Sequence, residues 1–522
     1  MAAKLLMIGL DAADVSLIEH WTDDGTLPCL AGLRRNGHFG PLASTADWLV
    51  GSPWVAFYSG QSPAENGIYH SIVWQPDRLA HARATRPVRD CMPFWRELSR
   101  QGPRVIAFDV PLTQTPDPFN GIEVNGWANT DLLDAECAYP ANVLPDLIAE
   151  FGRPERPIEN YRLERVDALL ALRDQQCETT RRIGEVAGTL LRREPWELAI
   201  VGIHTAHYAG HKLWSDRNVD GEVAAAQRAE HAGALREVYR ACDAAVGKLV
   251  EAAGPGTNVM VFAVHGMGPN TCRTDFLGDM LRRVLAKQSI TKRNAVDHAT
   301  RTLRDLLPQS FRYAVKSRLP QSLSDGLTVF WRTGSTNWAA TRAFNVFSDL
   351  RGYVRLNLAG REAQGQVTPG DEAQSLVAEI LEGLATFTDA DTGEPLVADY
   401  RRREQLYPTG ARAHLLPDVM IRWSDTDAAL HRGLASPRYG DIAWPTPGRH
   451  PSGRSGNHQA PGFLIASGPA LTGRIDLTDA HILDLAPTVH ALMDMPPPVH
   501  FDGVSRLRAR EETAELVTSS ER

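Results

Sequence analysis

The chain has 522 residues and a formal net charge of −8, with 43% apolar and 23% charged residues. That is the make-up of an ordinary globular protein with at least one large core and, by length, two or more lobes, and it gives no general reason to expect nucleic acid. The six cysteines (Cys29, Cys91, Cys137, Cys177, Cys242, Cys272) form no CxxC pair, which argues against a disulfide framework and a thiolate zinc site, so any metal must rest on His and carboxylate.

The first apolar run, in "MAAKLLMIGLDAAD", meets Asp11 too early for a signal peptide, and no apolar segment approaches membrane-spanning length. A cytoplasmic protein with no membrane partner is expected. In chain order the runs "KLLMIGLDA", "RVIAFDVP", "ELAIVGIHT", "NVMVFAVHG", "PDVMIRW" and "GFLIASGP" are each followed by turn or polar residues and then by amphipathic stretches. This alternation predicts an α/β fold: a three-layer α/β/α sandwich with a mainly parallel central sheet. Ligands of such sheets gather at the carboxyl ends of the strands, so polar residues just after these runs matter most.

The expected division is a first part of the core over 1–275, a basic helical insertion or cap over 276–334, the remainder of the core over 335–510 with a small excursion near 398–416, and a frayed tail over 511–522. Between Arg282 and Arg318 there are ten Lys or Arg against two acids, Asp297 and Asp305. The segment reads either as a solvated basic face or as a lid that attracts a small anionic substrate. Nucleic-acid binding through it is the less favoured reading, and nothing fixes the oligomeric state.

Reading the strand ends in order gives Asp11, then His204, His207 and His211, then His265, and later His458. One carboxylate and several imidazoles at one sheet edge suit a first-row divalent cation, although packing or a proton relay would also use such residues. His207 and His211, four apart, share one face of a helical turn. "WLVGSPWVAFYSG" adds a hydroxyl: Ser52 before Pro53 is a helix start, where Ser52 caps the free amides or serves as a nucleophile beside them.

At this point the residues resemble the alkaline phosphatase superfamily, and within it the type I phosphodiesterase and nucleotide pyrophosphatase branch. "MIGLDAAD" resembles the opening strand and first metal Asp. "GTLPCLAGLRRNGHFGPLAST" followed by "PWVAFYSGQSPAENGIY" resembles the segment that delivers a Ser or Thr nucleophile. "HYAGHKLW" resembles an Asp-x-x-x-His metal pair, "VFAVHGMG" a strand ending in Asp-His-Gly, and "GNHQAPGFLIASGP" the last metal His. The resemblance implies an alkaline phosphatase-like core, Asp11 and His265 at one metal centre, His211 and His458 at the other, and Ser52 between them, with Thr45 as the alternative nucleophile.

The chain departs from that pattern at His207 and Val264, which stand where the family has Asp. Val264 ligates nothing, and one remaining Asp beside two divalent cations leaves a large uncompensated positive charge. The reading is therefore one metal bound by His207, His211 and His458, zinc rather than magnesium because the donors are imidazoles, with the Asp11–His265 centre weak, absent or filled by a different ion. His204 is expected to orient a ligand or the substrate, and Asn270 and Arg355 are weighed evenly between substrate contact and a turn or surface role. The activity implied is metal-dependent phosphate-ester hydrolysis, a phosphodiesterase acting through a seryl intermediate. The alternatives are hydrolysis of phosphomonoesters, phosphonates or sulfate esters, and a degenerate member that binds a metal or anionic ligand without turnover.

Overall fold

The computed structural model describes residues 3–85, 90–114, 118–133, 135–155, 164–286, 337–426, 432–444, 450 and 452–508. Its central sheet is built from β1 (Leu5–Leu10), β2 (Gly37–Leu42), β3 (Val105–Phe108), β4 (Gly121–Asn125), β5 (Cys137–Tyr139), β6 (Leu198–Ile203), β7 (Asn258–Ala263) and β8 (Gly462–Ser467). The spatial order is β2-β8-β7-β1-β6-β3-β4-β5. From β7 through β4 the neighbours run parallel. The edges turn antiparallel: β8 against β7 and β2, and β5 against β4.

Strand geometry makes this a three-layer sandwich, because successive side chains leave opposite faces of the sheet. In β1, Leu5 and Met7 enter a core shared with the helix α1 (Pro53–Ser59). Leu6, Ile8 and Leu10 enter the opposite core, shared with the long helices α2 (Val166–Arg193) and α4 (Ala225–Ala253) and with the short helix α3 (Thr205–Leu213) between them in sequence. These β1 side chains are 0–1% exposed, so each contributes about 1.5–3 kcal/mol of burial.

Two of the six apolar runs do something other than extend the parallel sheet. "GFLIASGP" is β8, which is antiparallel. "PDVMIRW" supplies Val419–Trp423 to a separate four-stranded antiparallel sheet, in the order Ala343–Asn345, Gly352–Leu356, Val419–Trp423, Val397–Arg402. An unbroken apolar run reports that a strand is covered on both faces, not the direction of its neighbours. Met420 and Tyr353 of this second sheet face the main core, while Val419, Ile421 and Trp423 meet the helices α5 (Thr274–Leu285) and α6 (Asp371–Ala385). Residues 343–444, expected within the remainder of the core, thus help to build a second core of their own. The excursion near 398–416 is its edge strand and the turn after it. Of the basic insertion, α5 is described, whereas residues 287–336 lie outside the described residues, as does the tail from 509.

The architecture positions the site. β1, β6 and β7 are adjacent and parallel, so Asp11, His204 and His265, which follow them at or near their last residues, arrive at one edge of the sheet. No described helix is long and apolar enough to cross a membrane.

Candidate metal centre

His204 stands at the N-cap position of α3, and the helix turn then presents His207 and His211 side by side, with Nε2 atoms 3.0 Å apart. His458 comes from the far end of the chain. It lies on the strand Gly456–Gln459, which pairs with Gly266–Pro269 just beyond His265, with Met267 opposite His458. His458 Nε2 sits 2.8 Å from His207 Nε2. The donor atoms of His207, His211 and His458 all lie within 4.8 Å of one another, a group that could hold a metal ion. Glycine permits this meeting. A Cβ at Gly456 would lie 2.2 Å from the Gly210 carbonyl, so only glycine lets the His458 strand approach α3 so closely.

The hydrogen bonds around the rings decide what the cluster can do. Asp11 Oδ2 lies 2.8 Å from His207 Nδ1, and the Gly456 carbonyl lies 3.0 Å from His211 Nδ1. Both acceptors require a proton on Nδ1, which in a neutral ring leaves a lone pair on Nε2. Two Nε2 lone pairs then face each other at 3.0 Å, and His458 Nε2 can supply a proton to one of them at most. His458 Nδ1 has no partner. A proton on His207 or a divalent cation would relieve this contact, and three imidazole nitrogens fit a divalent cation with an open position. Carboxylate and carbonyl behind the His207 and His211 rings fix their tautomers in the way seen at metal–histidine sites.

Burial pushes the His211 imidazole down to about 3, with the charge on His207 as the second cause. Burial, then His265, His207 and His211, hold His458 well below the ordinary histidine range. His207 goes the other way: burial lowers it, but the Asp11 carboxylate outweighs this and raises it. Burial would raise the Asp11 carboxyl; the charge and hydrogen bond of His207, then His265 and Trp54, overcome this and hold it far below the carboxylate range.

Asp11 and His265 come together, as expected, and Asp11 also backs His207. Its Oδ2 backs His207, its Oδ1 accepts Trp54 Nε1–H at 2.7 Å, and His265 Nε2 is 3.6 Å from Oδ1. It stands beside both His207 and His265 and is not among the three converging donors. Trp54 reaches it because Gly9 of β1 leaves room: a Cβ there would meet the indole at 2.7 Å. His265 packs against His458, with ring centroids 4.7 Å apart, and its Nδ1 is directed to the Gly266 carbonyl at 3.2 Å.

Ser52 occupies the N-cap position of α1, with Pro53 at the first helical position, but it makes no capping bond. Its Oγ is fully buried, 2.7 Å from the Leu49 carbonyl and 2.7 Å from Thr45 Oγ1. One hydroxyl proton cannot serve both contacts, so when Ser52 donates to Leu49, Thr45 donates to Ser52. The two candidate nucleophiles are thus direct partners. The neighbouring Ser44 Oγ donates to the Val264 carbonyl at 2.6 Å, tying this segment to the residue before His265. Among the described residues, no hydrogen bond joins Ser52 or Thr45 to an imidazole.

Three expected contributors have other roles. His204 is buried and makes no hydrogen bond to His207, His211 or His458, so it orients none of them through such a bond. Asn270 donates to the Arg454 carbonyl at 3.0 Å and accepts from Cys272 N–H and Asn457 Nδ2, each at 3.2 Å. It pins the strand bearing His458 instead of reaching out to substrate. Arg355 is buried in the second sheet: its Nε donates to Glu362 Oε1 at 2.8 Å, and its other nitrogens donate to the carbonyls of His414, Leu415 and Leu416. Glu362 also accepts from Trp74 Nε1 and Arg361 Nε, each at 2.8 Å. Such a pair holds structure together. Arg355→Ala is expected to lower stability by about 3–5 kcal/mol, because Glu362 loses a charge partner in the interior, while zinc binding per folded protein stays unchanged. The midpoint of urea unfolding and the metal content check the two halves.

Sequence reasoning missed Asp131, Asp349, His70 and Tyr208. Tyr208 stacks on His207, with ring centroids 5.5 Å apart and planes 5° from parallel, and its hydroxyl pairs with Thr130. Tyr208 was legible as the neighbour of His207. The other three come from loops without periodicity or motif spacing.

The family model described as Type I phosphodiesterase / nucleotide pyrophosphatase matches residues 5–444. No curated protein matches this chain. Among solved structures the chain is similar to phosphonoacetate hydrolase from Sinorhizobium meliloti 1021. In complex with phosphonoformate that structure gives 12% identity and a TM-score of 0.52, over 94% of this chain and 95% of that one. In complex with phosphonoacetate it gives 11% identity and a TM-score of 0.50 over the same shares. Human ectonucleotide pyrophosphatase / phosphodiesterase 5 has 10% identity and a TM-score of 0.45, over 96% of this chain and 97% of that one. At these identities the structural likeness concerns the fold, which is alkaline phosphatase-like. With the family model covering most of its length, the chain belongs to the type I phosphodiesterase / nucleotide pyrophosphatase family of the alkaline phosphatase superfamily.

Proposed function

We propose that the protein is a metal-dependent phosphodiesterase whose cation is held by His207, His211 and His458 and whose nucleophile is Ser52. Family membership supports a phosphoester hydrolase. The observation that carries the metal reading is the convergence of three Nε2 atoms, two of which, on His207 and His211, have their Nδ1 atoms turned to acceptors. Zinc or a similar late divalent ion suits imidazole donors. A bound cation there would supply Lewis acidity toward a phosphoryl oxygen and a lowered pKa for a nearby hydroxyl or water.

The chain's own residues supply the rest. Asp11 and the Gly456 carbonyl keep the Nδ1 protons in place, so His207 and His211 present their Nε2 atoms. Ser52 Oγ forms the bond to phosphorus as the bond to the departing alcohol breaks, and hydrolysis of the seryl ester restores the hydroxyl. Thr45, 2.7 Å from Ser52 Oγ, holds the hydroxyl in register.

A panel of esters on the zinc-loaded protein tests this reading: bis(nitrophenyl) phosphate, nitrophenyl phosphate, nitrophenyl sulfate and phosphonoacetate. The expected result is stoichiometric zinc and the highest kcat/KM on the diester. Preference for phosphonoacetate would move the assignment to phosphonate hydrolysis. Bound zinc with no turnover across the panel would instead mark a binding protein.

A further inference from the structure

On the reading of Ser52 as the nucleophile, we propose that Tyr353 of the second sheet is the positioning residue that aims the Ser52 hydroxyl, acting through the single peptide group between Leu49 and Val50.

Tyr353 lies in the strand Gly352–Leu356 and is fully buried. Its side chain reaches the segment that carries both candidate nucleophiles. The Tyr353 hydroxyl donates to the Trp48 carbonyl at 2.9 Å and accepts the Val50 N–H at 3.0 Å. Its one proton and one of its lone pairs are therefore both committed to this segment. Burial pushes the phenol above its ordinary value, so the proton needed for the Trp48 contact stays in place. The ring is held in turn. It packs edge-on against Tyr69, with centroids 6.0 Å apart and planes 84° from parallel, and the Tyr353 carbonyl accepts the Val346 N–H at 3.1 Å.

The Val50 N–H belongs to the same planar peptide group as the Leu49 carbonyl. That carbonyl accepts the Ser52 hydroxyl at 2.7 Å and the Ser52 backbone N–H at 3.2 Å. Because a peptide plane turns as one body, holding its N–H on Tyr353 fixes the direction in which its C=O meets Ser52. The bonds at the two ends of the amide also polarise one another, so each strengthens the other. Tyr353 thus acts on Ser52 Oγ without touching it.

The rest of the segment is gripped from the same sheet. Arg351 Nε donates to the Asp47 carbonyl at 3.1 Å, and Arg422 Nη2 donates to Asp47 Oδ1 at 2.7 Å. Gly51 lets the chain lie close to its neighbours: a Cβ there would be 2.6 Å from His70 Cα and 2.7 Å from the Tyr69 carbonyl. These contacts place the segment as a whole. Among the described side chains other than that of Ser52 itself, only Tyr353 bonds to the peptide that receives the Ser52 hydroxyl.

Rapid-quench single turnovers of the zinc-loaded full chain with bis(nitrophenyl) phosphate, read by mass spectrometry of the peptide containing Ser52, test this. Tyr353→Phe keeps the ring and removes the hydroxyl. It is expected to slow phosphorylation of Ser52 about 10- to 100-fold per folded molecule with zinc content unchanged, since a small misplacement of a reacting group can cost about 100-fold. Tyr69→Phe is the structural control: it removes a neighbouring buried hydroxyl that accepts the Trp74 N–H at 2.8 Å, and it is expected to leave the rate unchanged. In the Ser52→Ala background, Tyr353→Phe is expected to slow residual turnover no further, because the group it aims is gone. Should Tyr353→Phe fold poorly, α-hydroxyvaline in place of Val50 deletes the N–H that Tyr353 accepts, keeps every side chain, and is expected to slow phosphorylation likewise. Unchanged phosphorylation, or equal slowing by Tyr69→Phe, overturns the positioning role alone. A phosphoryl group that never appears on Ser52 of the unaltered chain overturns the nucleophile reading and this proposal together.

Discussion

Replacing His211 with alanine is expected to strip the tightly held cation and to cut phosphodiester turnover by roughly 1,000-fold or more while the protein remains folded. His211 Nε2 is one of three donors that converge, and its Nδ1 is oriented by the Gly456 carbonyl at 3.0 Å. Loss of a residue that merely orients a ligand typically weakens a metal about 10- to 100-fold, so loss of a ligand itself must cost more. Removing one group that stabilises the developing charge costs about 100- to 1,000-fold in turnover, and loss of the cation removes the largest such group in the site. The structural penalty is smaller. Gly456 loses a hydrogen-bond donor, worth about 1–3 kcal/mol, against a fold whose described residues include three large hydrophobic cores. Zinc content, the diester rate and the urea midpoint distinguish this outcome from Arg355→Ala, which reverses the pattern.

Ser52→Ala is expected to lower diester turnover by roughly 1,000-fold or more while zinc content stays at the level of the unaltered protein. A residue that forms the covalent bond acts as a unit with the groups that activate it, and such units lose nearly all their advantage when one member goes. Thr45→Val is expected to cost about tenfold, because it removes a hydrogen-bonding partner of Ser52 Oγ and nothing that reacts. Mass spectrometry of quenched reactions should find the added phosphoryl group on the peptide containing Ser52. The reverse pattern, with Thr45→Val inactive and Ser52→Ala active, would transfer the nucleophile to Thr45.

Much of the core was legible because each signal is local. The runs that became β1, β3, β6 and β7 are short, apolar and bounded by polar residues, and the four-residue spacing of His207 and His211 has one meaning on a helix. Strand direction was not legible in "PDVMIRW" and "GFLIASGP", because burial on both faces is common to parallel strands and to the inner strands of a covered antiparallel sheet. Arg355 looked like a candidate for an anion because a sequence does not reveal that Glu362, Trp74 and three carbonyls surround it. The contact of Asp11 with His207 was not legible for a related reason. Whether a carboxylate binds a metal or supports the ring that does depends on which side of His207 it stands, and that is a tertiary fact.

The most direct measurement is anomalous diffraction at the zinc edge from crystals of the full chain grown with zinc. The structure predicts one strong peak bonded to Nε2 of His207, His211 and His458, with Asp11 behind His207 and not bonded to the ion. A peak held by Asp11 and His265 with the other three imidazoles turned away, or no peak at the cluster, would contradict it.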